Sequence, residues 1–254
     1  MSEAHAFLLD RVWLLVILLA AAGYLFGSIS FARIIHYFVK KTGSIDAFAE
    51  PVPHSDETFE SNLVSATLVT KKLGARYGLT VSVLDMLKVA LPALAIKLLL
   101  KDDPWYLIIA LGGVIGHNYP VWYGFVGGRG ESPIIGSVFV INWFGFFLAN
   151  AAGLVLGYLT GSVLVVRWSY HILLPVWFLI YFDNPWPAAY MVATNFLFWL
   201  SMRSDLKRFQ DLKKNKGLKF SEEDVSEFIL MGKSLGRFLD RYSIYALVKK
   251  AMAK

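Results

Sequence analysis

The chain contains no cysteine, which excludes disulfides, thiolate metal ligands and a cysteine nucleophile. Charge is scarce as well. Asp, Glu, Lys and Arg make up 17% of the 254 residues, against about a quarter in ordinary soluble domains. The histidines His5, His36, His54, His117 and His171 are scattered. No H-E-x-x-H and no carboxylate-rich helix pair accompanies them, so no metal is expected. Neither a Walker A nor a Rossmann pattern occurs. No internal repeat is strong enough to support a transporter built from repeated halves.

What fills the space is apolar sequence. Hydrophobic residues account for 56% of the chain. They fall in runs near membrane-spanning length, at about 12–39, 79–100, 105–123, 134–159, 163–182 and 186–202. Continuous runs indicate spanning helices, because a membrane barrel needs short alternating segments. The first run contains Ala20-Ala21-Ala22, which resembles a signal-peptide cleavage site, but it lacks the basic start of such peptides. It is read as a retained helix with a small-residue packing face.

Charge sets the count. Lys and Arg cluster in the first connection and from Arg203 onward. Positive connections stay in the cytoplasm, so an even number of spans separates these two clusters. That parity divides the tract 134–159 near Asn142 and explains the net charge of +6 without nucleic acid. The predicted fold is an all-α integral membrane protein of seven transmembrane helices, N-terminus out and C-terminus in, with a helical cytoplasmic tail. Residues 1–205 form the transmembrane domain and 206–254 a basic amphipathic extension. Within the extension, Ser221-Glu222-Glu223-Asp224 reads as a helix start with a capping box. The extension suits either an anionic membrane surface or a helical cap packed on the loops, with residues 210–254 open to a protein partner.

Three polar features stand out. Asp85 and Lys88 share a helical face inside an apolar run, so they pair with each other or serve a site. The stretch Gly127-Gly128-Arg129-Gly130 follows Gly116-His117-Asn118-Tyr119-Pro120. Its glycines and its guanidinium fit a phosphate, and they equally fit a tight turn with one snorkelling cation. Ser61, Thr67 and Lys71 lie in the first connection, 40–78, which is too long for a bare turn. Hydroxyls and a cation facing the same loop region make an anion site; alternatively Ser61 caps a short helix.

Three collinear stretches carry a family resemblance. They are Gly23-Tyr24-Leu25-Phe26-Gly27-Ser28-Ile29, then Leu73-Gly74-Ala75-Arg76-Tyr77-Gly78 with Leu84-Asp85-Met86-Leu87-Lys88, then Gly116-His117-Asn118-Tyr119-Pro120-Val121 with Phe125-Val126-Gly127-Gly128-Arg129-Gly130. Together they resemble the bacterial acyl-phosphate:glycerol-3-phosphate acyltransferase (PlsY) family. The resemblance implies an acyltransferase of the bacterial inner membrane. It would move an acyl chain from acyl phosphate to glycerol 3-phosphate, giving lysophosphatidate for phospholipid synthesis, with no cofactor. It implies Ser61 as the catalytic residue, with Thr67, Lys71, His117, Gly127, Gly128, Arg129, Gly130 and Arg203 binding substrate. The family's F-K-G-G-K-G has Val126 and Arg129 in place of its lysines here, and its first-loop glycines and asparagines are replaced. In its H-R-E-N-I-x-R-L run the histidine and asparagine are gone, leaving Arg203. These departures keep a non-catalytic regulatory or lipid-binding paralogue open as the alternative. His5 and Asp10 make an H-x4-D spacing that other acyltransferases use; it falls on the outer side by the charge argument and is read as chance.

Overall fold

In the computed structural model the described residues are 3–41, 45, 48–52, 55–61, 63–101, 104–214 and 217–252. The elements are α1 (Glu3–Gly27), α2 (Phe31–Lys40), β1 (Phe48–Pro51), β2 (Thr58–Ser61), α3 (Ala66–Leu73), α4 (Ala75–Leu99), α5 (Trp105–Asn118), α6 (Glu131–Thr160), α7 (Val163–Trp168), α8 (Tyr170–Tyr181), α9 (Trp186–Lys214), α10 (Glu222–Phe228), α11 (Lys233–Tyr242) and α12 (Ile244–Met252). Among the described residues four stretches are long and apolar enough to cross a membrane: Arg11–Lys40, Ala75–Leu99, Glu131–Thr160 and Val163–Tyr181.

Several sequence expectations hold and several need correction. Asn142 has non-helical backbone (φ −160°, ψ 92°) inside α6, which is the predicted break. The first apolar run, read as one helix, is two: α1 ends at Gly27 and α2 begins at Phe31. The run 163–182 is also two helices, α7 and α8. The run 105–123 ends its α-helix at Asn118, and a single 3₁₀ turn follows at Val121–Tyr123. Helix α4 continues through Pro92. The purely α-helical expectation needs one addition, a two-stranded sheet of β1 and β2 in the first connection. It forms because Val52 and Phe59 are buried in an apolar cluster, which a solvated linker could not achieve.

The chain divides into two compact units. The first comprises Met1–Phe48, Ser61–Asn142 and Asn184–Met202. Its centre is the crossing of α1 and α5, which approach through glycines spaced by four. A Cβ on Gly23 would lie 2.0 Å from the Ile109 carbonyl oxygen, and one on Gly116 would lie 2.1 Å from that of Tyr24. In lipid, where water exclusion supplies no drive between helices, such close backbone packing holds them together. The small-residue face read from the sequence is this one. Beside it, Ala32 of α2, Leu68 and Val69 of α3 and Val81 of α4 form an apolar cluster.

The second unit comprises Ala49–Glu60, Trp143–Asp183 and Arg203–Lys254. Helix α6 meets α7 through Gly157, where a Cβ would lie 2.1 Å from Val166 Cγ2. One cluster buries Val52, Phe59 and Leu212 under Phe220 and Phe228. Another buries Val163, Val166 and Leu239 under Ile229 and Leu235. The predicted capping box is present: Asp224 N–H donates to Ser221 Oγ at 3.1 Å, and Ser221 N–H donates to Asp224 Oδ2 at 2.9 Å.

Candidate functional site

The polar centre of the first unit begins at the break between α1 and α2. The helix tightens and stops there, with Ile29 N–H donating to the Phe26 carbonyl at 3.2 Å, and the Ile29 carbonyl is met by a side chain. Lys88 Nζ, from α4, donates to that oxygen at 2.7 Å. The same ammonium lies 2.8 Å from Asp85 Oδ1 and 3.0 Å from His117 Nδ1. The i,i+3 pair expected from the sequence is therefore formed, and it has recruited a histidine from α5. All three side chains are buried, at 2% (Asp85), 7% (Lys88) and 8% (His117) exposure. Buried charges persist only when paired and hydrogen-bonded, and here one cation is shared among three acceptors. An ammonium can only donate, so Nδ1 of His117 accepts and the ring proton belongs on Nε2.

Nε2 points at the glycine-rich loop. A Cβ on Gly128 would lie 2.2 Å from it, and a Cβ on Gly127 would lie 2.1 Å from the His117 carbonyl oxygen. Gly128 N–H donates to that oxygen at 3.1 Å. Gly130 has φ +85° and lies against Asn118, whose Oδ1 would be 2.6 Å from an added Cβ. Only glycine satisfies both demands, the close approach and the left-handed backbone. Asn118 Nδ2 in turn donates to Ser201 Oγ at 2.9 Å.

The loop is also fastened from outside. Val64 N–H donates to the Gly127 carbonyl at 3.0 Å, which joins the first connection to the loop. Arg33 Nη2 donates to the Val126 carbonyl at 2.9 Å, and its guanidinium lies 4.4 Å from the centroid of the Tyr123 ring. Ser28, Ser30, Asp85, Lys88, His117 and Gly128 are among the residues around a cavity of about 10 Å³, room for roughly one water.

The residues singled out in the sequence are distributed unevenly. His117, Gly127 and Gly128 meet in this cluster, and Gly130 adjoins it through Asn118. Ser61 is buried at the end of β2, where its Oγ accepts from Leu63 N–H at 3.4 Å. It does not cap a helix. The N-cap of α3 is Ser65, because β2 continues to Ser61 and delays the helix. Thr67 and Lys71 are half-buried on α3, and Arg129 is half-buried in the loop; none of these three lines the cavity. Arg203 is exposed and belongs to the second unit. Sequence reading passed over Arg33, Ser28 and Ser201. Arg33 lies within the first apolar run, and its partner is 93 residues away.

Chemically, the cluster sets a buried, paired ammonium and a histidine beneath a loop whose glycines pack closely on them, which holds the loop backbone in place. The family described as glycerol-3-phosphate acyltransferase matches residues 17–211. A glycerol-3-phosphate acyltransferase of Mycoplasma mycoides is 38% identical over 133 residues, 50% of this chain and 47% of that protein. One from Aquifex aeolicus is 36% identical over 136 residues, 49% of this chain and 64% of that protein. These alignments span about half to two thirds of the relatives' length. One from Legionella pneumophila extends further, 31% identical over 218 residues, 85% of this chain and 73% of that protein. Crystal structures of PlsY, an integral membrane glycerol 3-phosphate acyltransferase, are similar at 25% identity. The lysophosphatidic acid form gives a TM-score of 0.60 over 77% of this chain and 91% of that one. The glycerol 3-phosphate form gives 0.62 over 85% and 98%.

Proposed function

Because the chain belongs to the glycerol-3-phosphate acyltransferase family, we propose that this multi-pass membrane protein transfers an acyl chain from acyl phosphate to glycerol 3-phosphate. The acceptor hydroxyl oxygen forms an ester bond to the acyl carbon. The acyl–phosphate bond breaks, and phosphate leaves with its electron pair and takes up the proton that the hydroxyl gives up. Acyl phosphate is already activated, so the protein needs neither a strong nucleophile nor a cofactor. It must orient two phosphate-bearing molecules and stabilise developing charge.

The observation that carries this reading is the glycine-rich loop laid on His117, with Lys88 and Asp85 beneath. In the proposed roles, Gly127, Gly128 and Gly130 shape the phosphate cradle: the N–H groups of Gly127 and Gly130 donate to the anion, while Gly128 N–H holds the loop to the His117 carbonyl. Lys71, Arg129 and Arg203 supply charge to the phosphates, and Thr67 and His117 contribute hydrogen bonds. Ser61 hydrogen-bonds the reacting groups. Arg33, held at the Val126 carbonyl, adds a cation at the loop. Residues 1–205 would form the acyltransferase domain, with seven spans in a bacterial inner membrane, the N-terminus outside and this loop facing the cytoplasm. Accessibility of single cysteines placed in successive connections tests that topology.

The deciding assay uses purified protein with acyl phosphate and labelled glycerol 3-phosphate. Lysophosphatidate is expected, with Ser61→Ala and Arg129→Ala each lowering turnover by about 10²-fold or more. No product above the Ser61→Ala background would overturn the reading.

A further inference from the structure

Residues 212–254 lie beyond the family match, yet the described part of them, 212–214 and 217–252, is docked within the second unit. Glu222 Oε2 accepts from Val163 N–H at 2.6 Å, at the start of α7. Arg167 donates to the Ile229 carbonyl. Leu239 is buried with Val163 and Val166. Ser243, fully buried between α11 and α12, sits on the turn at Gly161, where a Cβ would lie 2.8 Å from its Oγ.

The address matters. Gly161 and Ser162 are the two residues joining Glu131–Thr160 to Val163–Tyr181, both apolar enough to cross a membrane. So short a turn between two spans lies at a membrane face, and an extension clamped to it lies at the level of the lipid head groups.

The outer face of the extension matches that level. Phe238 and Tyr242 share one face of α11, and Tyr245, Val248 and Met252 share one face of α12, with extended backbone at Ser243 between the two helices; all five are exposed, Met252 to 84%. Arg241, Lys249 and Lys250 are interleaved with them, also exposed. An apolar stripe bordered by cations is the pattern of a helix lying in an anionic interface. A cavity of about 320 Å³ continues the stripe inward, walled by Leu154, Val155, Tyr158, Val166, Leu235 and Phe238 among others. Leu154 and Val155 are themselves exposed on the spanning helix, so the cavity is bounded by residues that face lipid. Thr160 follows Leu154 by six residues, about 9 Å of helix, which is the depth at which acyl chains begin.

We propose that α11 and α12 form an interfacial anchor for anionic phospholipid, with head groups at Arg241, Lys249 and Lys250 and an acyl segment in the cavity between α6 and α11. Only the membrane spans enter this reasoning. Acyl transfer does not, so a failed turnover assay leaves the anchor standing.

The absence of cysteine makes the test direct. Full-length Met252→Cys carries an environment-sensitive fluorophore in nanodiscs, with brominated acyl chains as the quencher from the lipid side and iodide from water. Brominated lipid is expected to quench the label, several-fold more strongly when phosphatidylglycerol is mixed into phosphatidylcholine than in phosphatidylcholine alone. The triple variant Arg241→Gln, Lys249→Gln, Lys250→Gln should abolish that difference. A second label at Phe238→Cys should be quenched as well. Strong iodide quenching in both lipids would overturn the anchor. Equal bromolipid quenching in both lipids would overturn its anionic preference. Shielding that requires a protein partner or a second copy of the chain would replace lipid as the occupant.

Discussion

Two glycine-dependent turns in this protein, residues 127–130 in the first unit and Gly161 in the second, are built by opposite means. The first faces inward. Its backbone rests on a histidine, and the histidine rests on a buried ammonium and carboxylate. The second faces outward. It is covered by Ser243 and Tyr245 of an extension whose remaining surface is apolar and basic. A turn that binds a small anion needs donors fixed in place, and buried charge supplies that rigidity at a desolvation cost. A turn that only seats a helix needs room, which a missing Cβ provides.

Removing the charge from the first turn should have the largest effect. Lys88→Ala leaves Asp85 buried without its cation and strips the Ile29 carbonyl and His117 Nδ1 of their donor. Losing one partner of such a pair costs about 3–5 kcal/mol. Thermal unfolding in detergent should show a drop of that size. The double variant Asp85→Leu, Lys88→Leu should recover much of it, because no unpaired charge remains. Equal stability of the single variant and the parent would mean that the cluster does not hold the loop.

Gly128→Ala comes next and separates positioning from stability. The new Cβ would fall 2.2 Å from His117 Nε2, so ring and loop must part. Turnover should fall about 10²-fold, equivalent to roughly 2.7 kcal/mol of barrier, while the protein still elutes as a folded species. A normal rate would place the reacting phosphates away from this loop.

Legibility followed sequence distance. The capping box at Ser221, the Asp85–Lys88 pair and the small-residue face of α1 depend on neighbours within four residues, so spacing alone exposes them. The break at Asn142 was legible because a polar residue interrupts an apolar tract. The split at residues 28–30 was not, since Ile29 and Phe31 keep the tract apolar while the backbone turns. The sheet of β1 and β2 was hidden by its short strands; Val52, just past β1, and Phe59 of β2 find partners in Leu212 and Phe228 far along the chain. Lys88 meets His117 across 29 residues and Ile29 across 59, beyond the reach of any periodicity. The glycine loop was recognisable as a motif, but what lies under it was not.

The outward turn gives the converse test. Gly161 has φ +68°, and an added Cβ meets Ser243 Oγ at 2.8 Å. Gly161→Ala should cost about 1–2 kcal/mol from backbone strain and loosen α11 and α12. Hydrogen exchange across residues 233–252 should rise several-fold while turnover stays at the parental rate. A loss of turnover equal to that of Gly128→Ala would erase the distinction between the two turns.

The smallest effect is a pH dependence of the same docking. Burial pushes the Glu222 carboxyl above the ordinary carboxylate range, and Asp240 adds to the rise; the Val163 N–H and Lys213 oppose it. A carboxyl with a raised folded pKa binds its proton more tightly when docked. Its contribution to docking is therefore full below the unfolded value and fades as pH rises through the folded one. Protection factors in α10 and α11, which divide out the intrinsic rise of amide exchange with pH, should accordingly fall from mildly acidic toward neutral pH, by less than Gly161→Ala produces. Glu222→Gln keeps an acceptor for Val163 N–H without a titrating proton, so it should flatten that slope. An unchanged slope in the Gln variant would assign the dependence to another group and leave the outward turn held by shape alone.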